Sequence, residues 1–244
     1  MIRSPYYDIL LGGVDEEIRV RRVVRGVAWT AAQLEEGRVG VAMRTAGDSA
    51  PRLFDTLEGL TARRAAEAAL SWNLEEASEG MAVINAWYNT AERAARLGGE
   101  APSGALDGIA LDGLHIGFVG HLPGHSGITE EQLSRAADWF ILEREPKPGD
   151  LPDCACEFLL PGCDLVVITG SAAVNKTMPR LLELAKDARV VLTGPTVTLC
   201  PALLELGIDR LCGLAVSDGE GLLRSIVEKR DSVNRFGRRF CLEK

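Results

Sequence analysis

Two apolar runs mark the middle of the chain. Leu165, Val166, Val167 and Ile168 form the first, which stops at Thr169, Gly170 and Ser171. Val190, Val191 and Leu192 form the second, which stops at Thr193, Gly194, Pro195 and Thr196. Short aliphatic and β-branched runs bounded by glycine and polar residues predict strands buried on both faces, as in a parallel sheet. Between them Met178, Leu181, Leu182 and Ala185 recur at helical spacing, which predicts a helix over 175–187 and a strand–helix–strand unit. The alternation continues on both sides. Strands are expected at 114–120, 139–143 and 211–216, and helices at 199–206 and 219–229. Thr129 with Gln132 forms a capping-box pattern that starts another helix. Residues 146–152, rich in Pro and Gly, read as a loop. Five strands with intervening helices predict an α/β fold, a Rossmann-like doubly wound and mainly parallel sheet. Its ligands would lie outside the carboxyl ends of the strands.

The first hundred residues obey a different rule. Residues 1–11 read as a short helix. Alternating apolar and basic residues over 18–23 predict a strand with one wet face, and 26–30 and 39–43 read as further strands joined at Glu36 and Gly37. The short links predict an antiparallel meander. Thr61 can cap a helix whose apolar set is Ala62, Ala65, Ala66, Ala69 and Leu70. A second helix, 78–97, has a bulky stripe of Met81, Ile84 and Tyr88. Its other stripe is small and amide-bearing, with Ala82, Asn85, Ala86 and Asn89, and would let another element come close. This is an α+β pattern. The Gly- and Pro-rich segment 98–104 divides it from the strand–helix alternation, so the expected domains are residues 1–105 and 106–244.

Composition narrows the function classes. A net charge of −8 argues against a nucleic-acid partner. Basic residues cluster only at the tail, at Lys229, Arg230 and 235–239, and read as a solvated terminus. No apolar run approaches the roughly 18–20 residues that span a bilayer, and Met1 to Pro5 lack a signal-peptide core, so a cytoplasmic protein without a membrane partner is expected. In that compartment the 6 cysteines should be mostly free thiols, with Cys212 a core residue. A homo-oligomer is allowed but not indicated.

The candidate chemistry gathers at the strand ends. Gly117, Gly120, Gly124 and Gly127 flank the exit of the first strand of the doubly wound half, but their spacing fails the G-x-G-x-x-G dinucleotide fingerprint. Glu143 and Glu145 lie where a ribose-binding carboxylate would fall. His121 comes directly after the same strand and should project into the crevice. His115 reads as a packed residue within the strand, and His125 sits on a Gly-rich loop. His121 is therefore the first candidate for transition-metal ligation or for acid–base work. Cys154, Cys156 and Cys163 match no common zinc spacing, although Glu145 and Asp150 precede them. Thr169, Gly170, Asn175, Thr177, Gly194 and Thr196 form the densest polar group at the strand ends, and their repetition at two strands exceeds what helix capping needs.

At these residues the C-terminal half resembles a prokaryotic family named for heavy-metal chelation. The resemblance rests on Val119, Gly120 and His121, on Glu145, Pro146, Gly149 and Asp150, and on Leu160, Pro161 and Asp164 running into Thr169 and Gly170. It continues through Asn175 and Thr177, Gly194, Pro195 and Thr196, Pro201, Gly207 and Gly213. The N-terminal half is similar to the domain that usually precedes it, on 26–30 and 80–86. The resemblance implies a Rossmann-like C-terminal domain, an enolase N-terminal-like α+β domain before it, and a ligand cleft between the two. It also implies Tyr where this chain has Trp29 and Ser where it has Thr196, so any role of the phenol is lost here while the hydroxyl is kept.

Three function classes are open. The first is a protein that binds a metal ion or metal chelate between its domains. His121, Glu145 and Asp150 would be the metal ligands, Asn85 would close the cleft, and Gly120, Thr169, Gly170, Asn175, Thr177, Gly194, Pro195 and Thr196 would line it. The second is an enzyme with an adenosyl or nucleotide-like cofactor in the Rossmann crevice. The third is a partner-binding scaffold, which would show a large apolar surface and no formed pocket.

Overall fold

The computed structural model describes residues 4–48, 50–125, 127–229 and 232–244, so the expectations for residues 1–3 and for Arg230 of the basic tail lie outside the described residues. After α1 (Pro5–Gly12), β1 (Val20–Arg25), β2 (Trp29–Leu34) and β3 (Val39–Met43) form an antiparallel meander. Gly26 begins the first turn rather than a strand, donating its N–H to the carbonyl of Trp29. Thr61 caps α2 (Ala62–Ala66) by accepting from the N–H of Arg64. The helix expected at 78–97 is two. Asn73 caps α3 (Leu74–Tyr88), which ends at Asn89, and Thr90 caps a new helix, α4 (Ala91–Arg96).

The second sheet carries β4 (His115–Val119), β5 (Asp138–Glu143), β6 (Leu151–Pro152), β7 (Leu165–Thr169), β8 (Arg189–Thr193), β9 (Arg210–Val216) and β10 (Gly237–Glu243). Its links hold α5 (Glu130–Leu133), α6 (Cys156–Leu159), α7 (Met178–Leu184) and α8 (Gly219–Val227). The spatial order is β10-β9-β8-β7-β4-β5-β6, and every pairing but β9 with β10 is parallel. Counted in chain order, the parallel strands run 3-2-1-4-5-6, the doubly wound order, with its switch point between β4 and β7.

Burial alternates along the central strands. Val166 and Ile168 of β7 join a core shared with Tyr7 and Leu10 of α1 and with Met81 and Ile84 of α3. Leu165 and Val167 face a second core with Ile116, Phe118 and Ile128. The α+β unit thus covers one face of the large sheet, where a doubly wound fold usually has helices, and this explains why these strands are apolar throughout.

Two strands correct the sequence reading. β6 replaces the end of the expected loop, and its Pro152 is tolerated because the strand is an edge. β10 replaces the solvated tail. Its arginines stay at the sheet edge, where Arg239 donates to the carbonyl of Ser103 and Arg238 lies 5.9 Å from the Phe240 ring centroid. β10 also adds one bond to a cysteine set that is otherwise free, as expected, with Cys212 buried. Cys241 sits directly opposite Cys212 of β9, and the two form a disulfide, while Cys154, Cys156, Cys163 and Cys200 are free. No helix among the described residues is long and apolar enough to cross a membrane.

Candidate functional site at the sheet switch point

A cleft of about 840 Å³ opens at the carboxyl ends of β4, β5 and β7. Its far wall is the end of β3, from Met43 to Ala46, so both units contribute. Gly120 ends β4 with φ +103°, and a Cβ there would lie 2.9 Å from Thr169 Cγ2, so the two strand ends touch across the switch point. Glu143, the last residue of β5, lies beside this turn. One carboxylate oxygen accepts the N–H of His121 at 3.1 Å and the other the N–H of Arg144 at 2.8 Å.

His121 lines the cleft, and its Nδ1 lies 3.3 Å from Asp150 Oδ2. The Asp150 side chain is 4% exposed and does not line the cleft, so it stands behind the imidazole. The same oxygen accepts the N–H of Lys147. A neutral imidazole that donates from Nδ1 to a carboxylate keeps a lone pair on Nε2, the arrangement that carboxylates impose on metal-bound histidines from behind. Asp150 thus contacts the ring from outside the cleft lining. Glu145 lines the cleft from the exposed β5–β6 loop. Among the described residues no three His, Cys, Asp or Glu side chains converge as a metal site. The residues present do not fit a bare ion held wholly by protein ligands.

The polar group expected at the strand ends divides in two. Thr169, Asn175 and Thr177 line the cleft with Ser171. The Thr169 and Ser171 hydroxyls are 3.2 Å apart, and Thr177 donates to Asn175 Oδ1. Gly170, Gly194, Pro195, Thr196 and Asn85 stand away from the cleft lining, and Thr196 and Asn85 form part of the seam between the units. A Cβ on Gly170 would meet the backbone N of Val197 at 2.5 Å. Gly194 turns the chain with φ +116°, its N–H on the carbonyl of Cys212, and Pro195 comes next, half-buried. The Thr196 hydroxyl accepts the N–H of Met43. Asn85 donates to the carbonyls of Val41 and Thr196 and accepts from the Thr198 hydroxyl, so every arm of its amide is used. Asn89 repeats the pattern on Val197 and Leu199. The small, amide-bearing stripe does admit close neighbours, as its composition implied: β3 at Gly40, and the chain after β8 at Asn85 and Asn89.

The sequence reading missed the cationic members of the cleft, while two of the cysteines it weighed do line it. Arg44 is held by Glu75 and the carbonyl of Gly26, and Arg180 by Glu157 and Glu183. Cys154 and Cys156 both line the cleft, but they stand two apart on helical backbone, a spacing that points side chains away from each other. Burial pushes the Cys156 thiol up to about 11, and burial does the same to Cys163. Both remain protonated at neutral pH. A single lysine after Asn175 gave no sequence signal, yet Lys176 has left-handed φ of 72° and turns away from the cleft into the seam. Its Nζ donates to the carbonyl of Ala69 and lies 5.3 Å from the Tyr7 ring centroid.

Burial brings the Lys176 ammonium down to about 7 from its ordinary 10.5. Between those values the unfolded chain holds a proton that the folded one has released, so stability rises with pH across that window. Below pH 7 the buried charge is felt in full. A Lys176→Met variant is expected to exceed the parent near pH 6 by roughly 1–3 kcal/mol, with the advantage shrinking toward pH 10. Urea denaturation at a series of pH values checks this; an advantage constant with pH would contradict it.

Strand order and the switch-point cleft define a doubly wound α/β protein whose cleft is walled in part by an α+β unit. The chain belongs to the DUF364 family, described as "Putative heavy-metal chelation", whose model matches residues 109–238; residues 7–88 match the DUF4213 model, described in the same words. The crystal structure of a DUF364-family protein of unknown function from Desulfitobacterium hafniense is similar over 98% of this chain and 97% of that one, with 35% identity and a TM-score of 0.86. A DUF364-family protein of unknown function from Pyrococcus horikoshii shares the fold, with 22% identity and a TM-score of 0.81 over 98% of this chain and 99% of that one. An uncharacterized protein of Methanocaldococcus jannaschii is 32% identical over 108 residues, which span 42% of this chain and only 41% of that protein.

Proposed function

We propose that this protein binds a metal as an organic chelate in the cleft between its two units, with His121 Nε2 taking one coordination position and the chelate filling the rest. The observation that carries this is the His121–Asp150 pair. An imidazole on the cleft wall is oriented by a carboxylate hidden behind it, while no three ligands converge among the described residues. The cleft volume of about 840 Å³ suits an organic ligand and far exceeds a single ion. Imidazole favours borderline ions such as nickel, cobalt, copper and zinc. The family descriptions agree with metal handling as the role.

Equilibrium titration with nickel nitrilotriacetate, which leaves coordination positions open, tests the reading. The full chain is expected to bind it at one site, His121→Ala to lose at least tenfold in affinity, and Asp150→Asn to lose about 10- to 100-fold, the range seen when the partner that orients a metal ligand is removed. His125→Ala removes an exposed loop imidazole and serves as the control. Equal loss in the His125 variant, or none in the His121 variant, would sink the proposal.

A further inference from the structure

We infer that the β4–β5 side of the same cleft is a subsite for a ribonucleoside that carries no diphosphate, with Glu143 receiving the ribose hydroxyls. This goes beyond the chelate reading and does not need a metal at His121. In the 3-2-1-4-5-6 order, the carboxyl end of the second strand is where an acidic side chain meets a ribose bound at the switch point. Here that strand is β5, and its last residue is Glu143, half-buried and on the cleft wall. Parallel pairing of Val119 with Leu142 places it directly beside Gly120 and His121.

The carboxylate is fixed in place before any ligand arrives. Its two oxygens accept the N–H groups of His121 and Arg144. A carboxylate offers about four acceptor sites, so each oxygen keeps one for a hydroxyl. Two hydroxyls on adjacent carbons match two adjacent acceptors. Its only polar partners are backbone N–H groups, with no ion pair to Lys or Arg among the described residues. Leu142, Leu181 and Leu184 supply an apolar wall on which a base can lie.

The same turn excludes a dinucleotide. A pyrophosphate needs a glycine turn that opens directly into a helix N-terminus. After Gly120 the chain instead makes tight turns at Gly124 and Gly127, and α5 begins only at Glu130 with 4 residues. The ribose acceptor is present and the phosphate cradle is not, which selects a nucleoside or adenosyl group over NAD or ADP.

Calorimetric titration of the chelator-treated full chain with adenosine is the test. Omitting metal keeps this outcome separate from that of the chelate reading. Adenosine is expected to bind, 2′-deoxyadenosine and 3′-deoxyadenosine to bind at least tenfold more weakly, and NAD and ADP no more tightly than adenosine. Glu143→Gln should lower adenosine affinity at least tenfold and erase the preference for the intact ribose. Its folding is checked by thermal unfolding, and the deoxynucleosides on the parent chain carry the test if that variant does not fold. No binding of adenosine up to 1 mM, equal affinity for the deoxynucleosides, or a preference for NAD would overturn the proposal.

Discussion

A Gly40→Ala variant is expected to lose about 3 kcal/mol or more of stability, at the upper end of what overpacking causes. Gly40 is in β3, and a Cβ there would lie 2.0 Å from the backbone N of Ala86, 2.3 Å from the carbonyl oxygen of Ala82 and 2.5 Å from the carbonyl carbon of Asn85. All three are backbone atoms of one helix, so no side-chain rotation relieves the contact. The whole of α3 must shift off the meander. Because α3 carries Asn85 and ends at Asn89, that shift would pull on the seam with the large sheet. Gly12→Ala is the matched control, since nothing lies within 4 Å of its Cβ position. Urea denaturation of both variants gives the answer, and a Gly40→Ala midpoint equal to that of Gly12→Ala would refute the packing argument.

The second large effect is expected at Asn85. Asn85→Leu keeps roughly the same volume but removes two donors and an acceptor from a fully buried position. The carbonyls of Val41 and Thr196 and the hydroxyl of Thr198 would be stranded without water, for a loss of roughly 2–4 kcal/mol. The same change should loosen the seam locally. Amide hydrogen exchange at residues 196–199 is expected to speed up before global unfolding becomes measurable. Unchanged exchange there, with unchanged stability, would show that Asn85 is not what fastens the two units.

Much of the candidate site could be read in order along the chain, because it lies at strand ends and strand ends are local. Thr169 and Gly170 stop an apolar run, His121 comes after another, and the doubly wound order says that such points face ligand. What could not be read is which of these residues face the cleft and which face the protein itself. Thr169 is the last residue of β7, and Thr196 follows the end of the neighbouring strand β8 by three residues. Only β7 borders the switch point, so Thr169 lines the cleft while Thr196 is covered by β3 and α3. Asp150 shows the same limit in its position. In the sequence it is one more acidic residue near a histidine; in space it stands behind His121 and orients it.

The strand that was missed, β10, shows the limit of patterning. Arginines on an exposed sheet edge resemble a solvated tail, since both are wet. Its partner β9 decides the matter through a full antiparallel ladder from Gly237 with Val216 to Glu243 with Arg210. The Cys212–Cys241 bond was hidden with it, because a cysteine pair is legible only when both strands are.

The sequence by itself determined the class of the large sheet, the meander before it, and the strand ends at which the cleft opens. Apolar periods of two and 3.6 residues are local consequences of which side chains water rejects. Only the tertiary structure decided that the α+β unit covers one face of that sheet. It also turned Asn85 into a fastening and Lys176 into a buried amine, and it brought His121, Asp150 and Glu143 around one turn. Those outcomes depend on which distant backbone groups come within hydrogen-bonding reach of each side chain, and no local period along the chain records that distance.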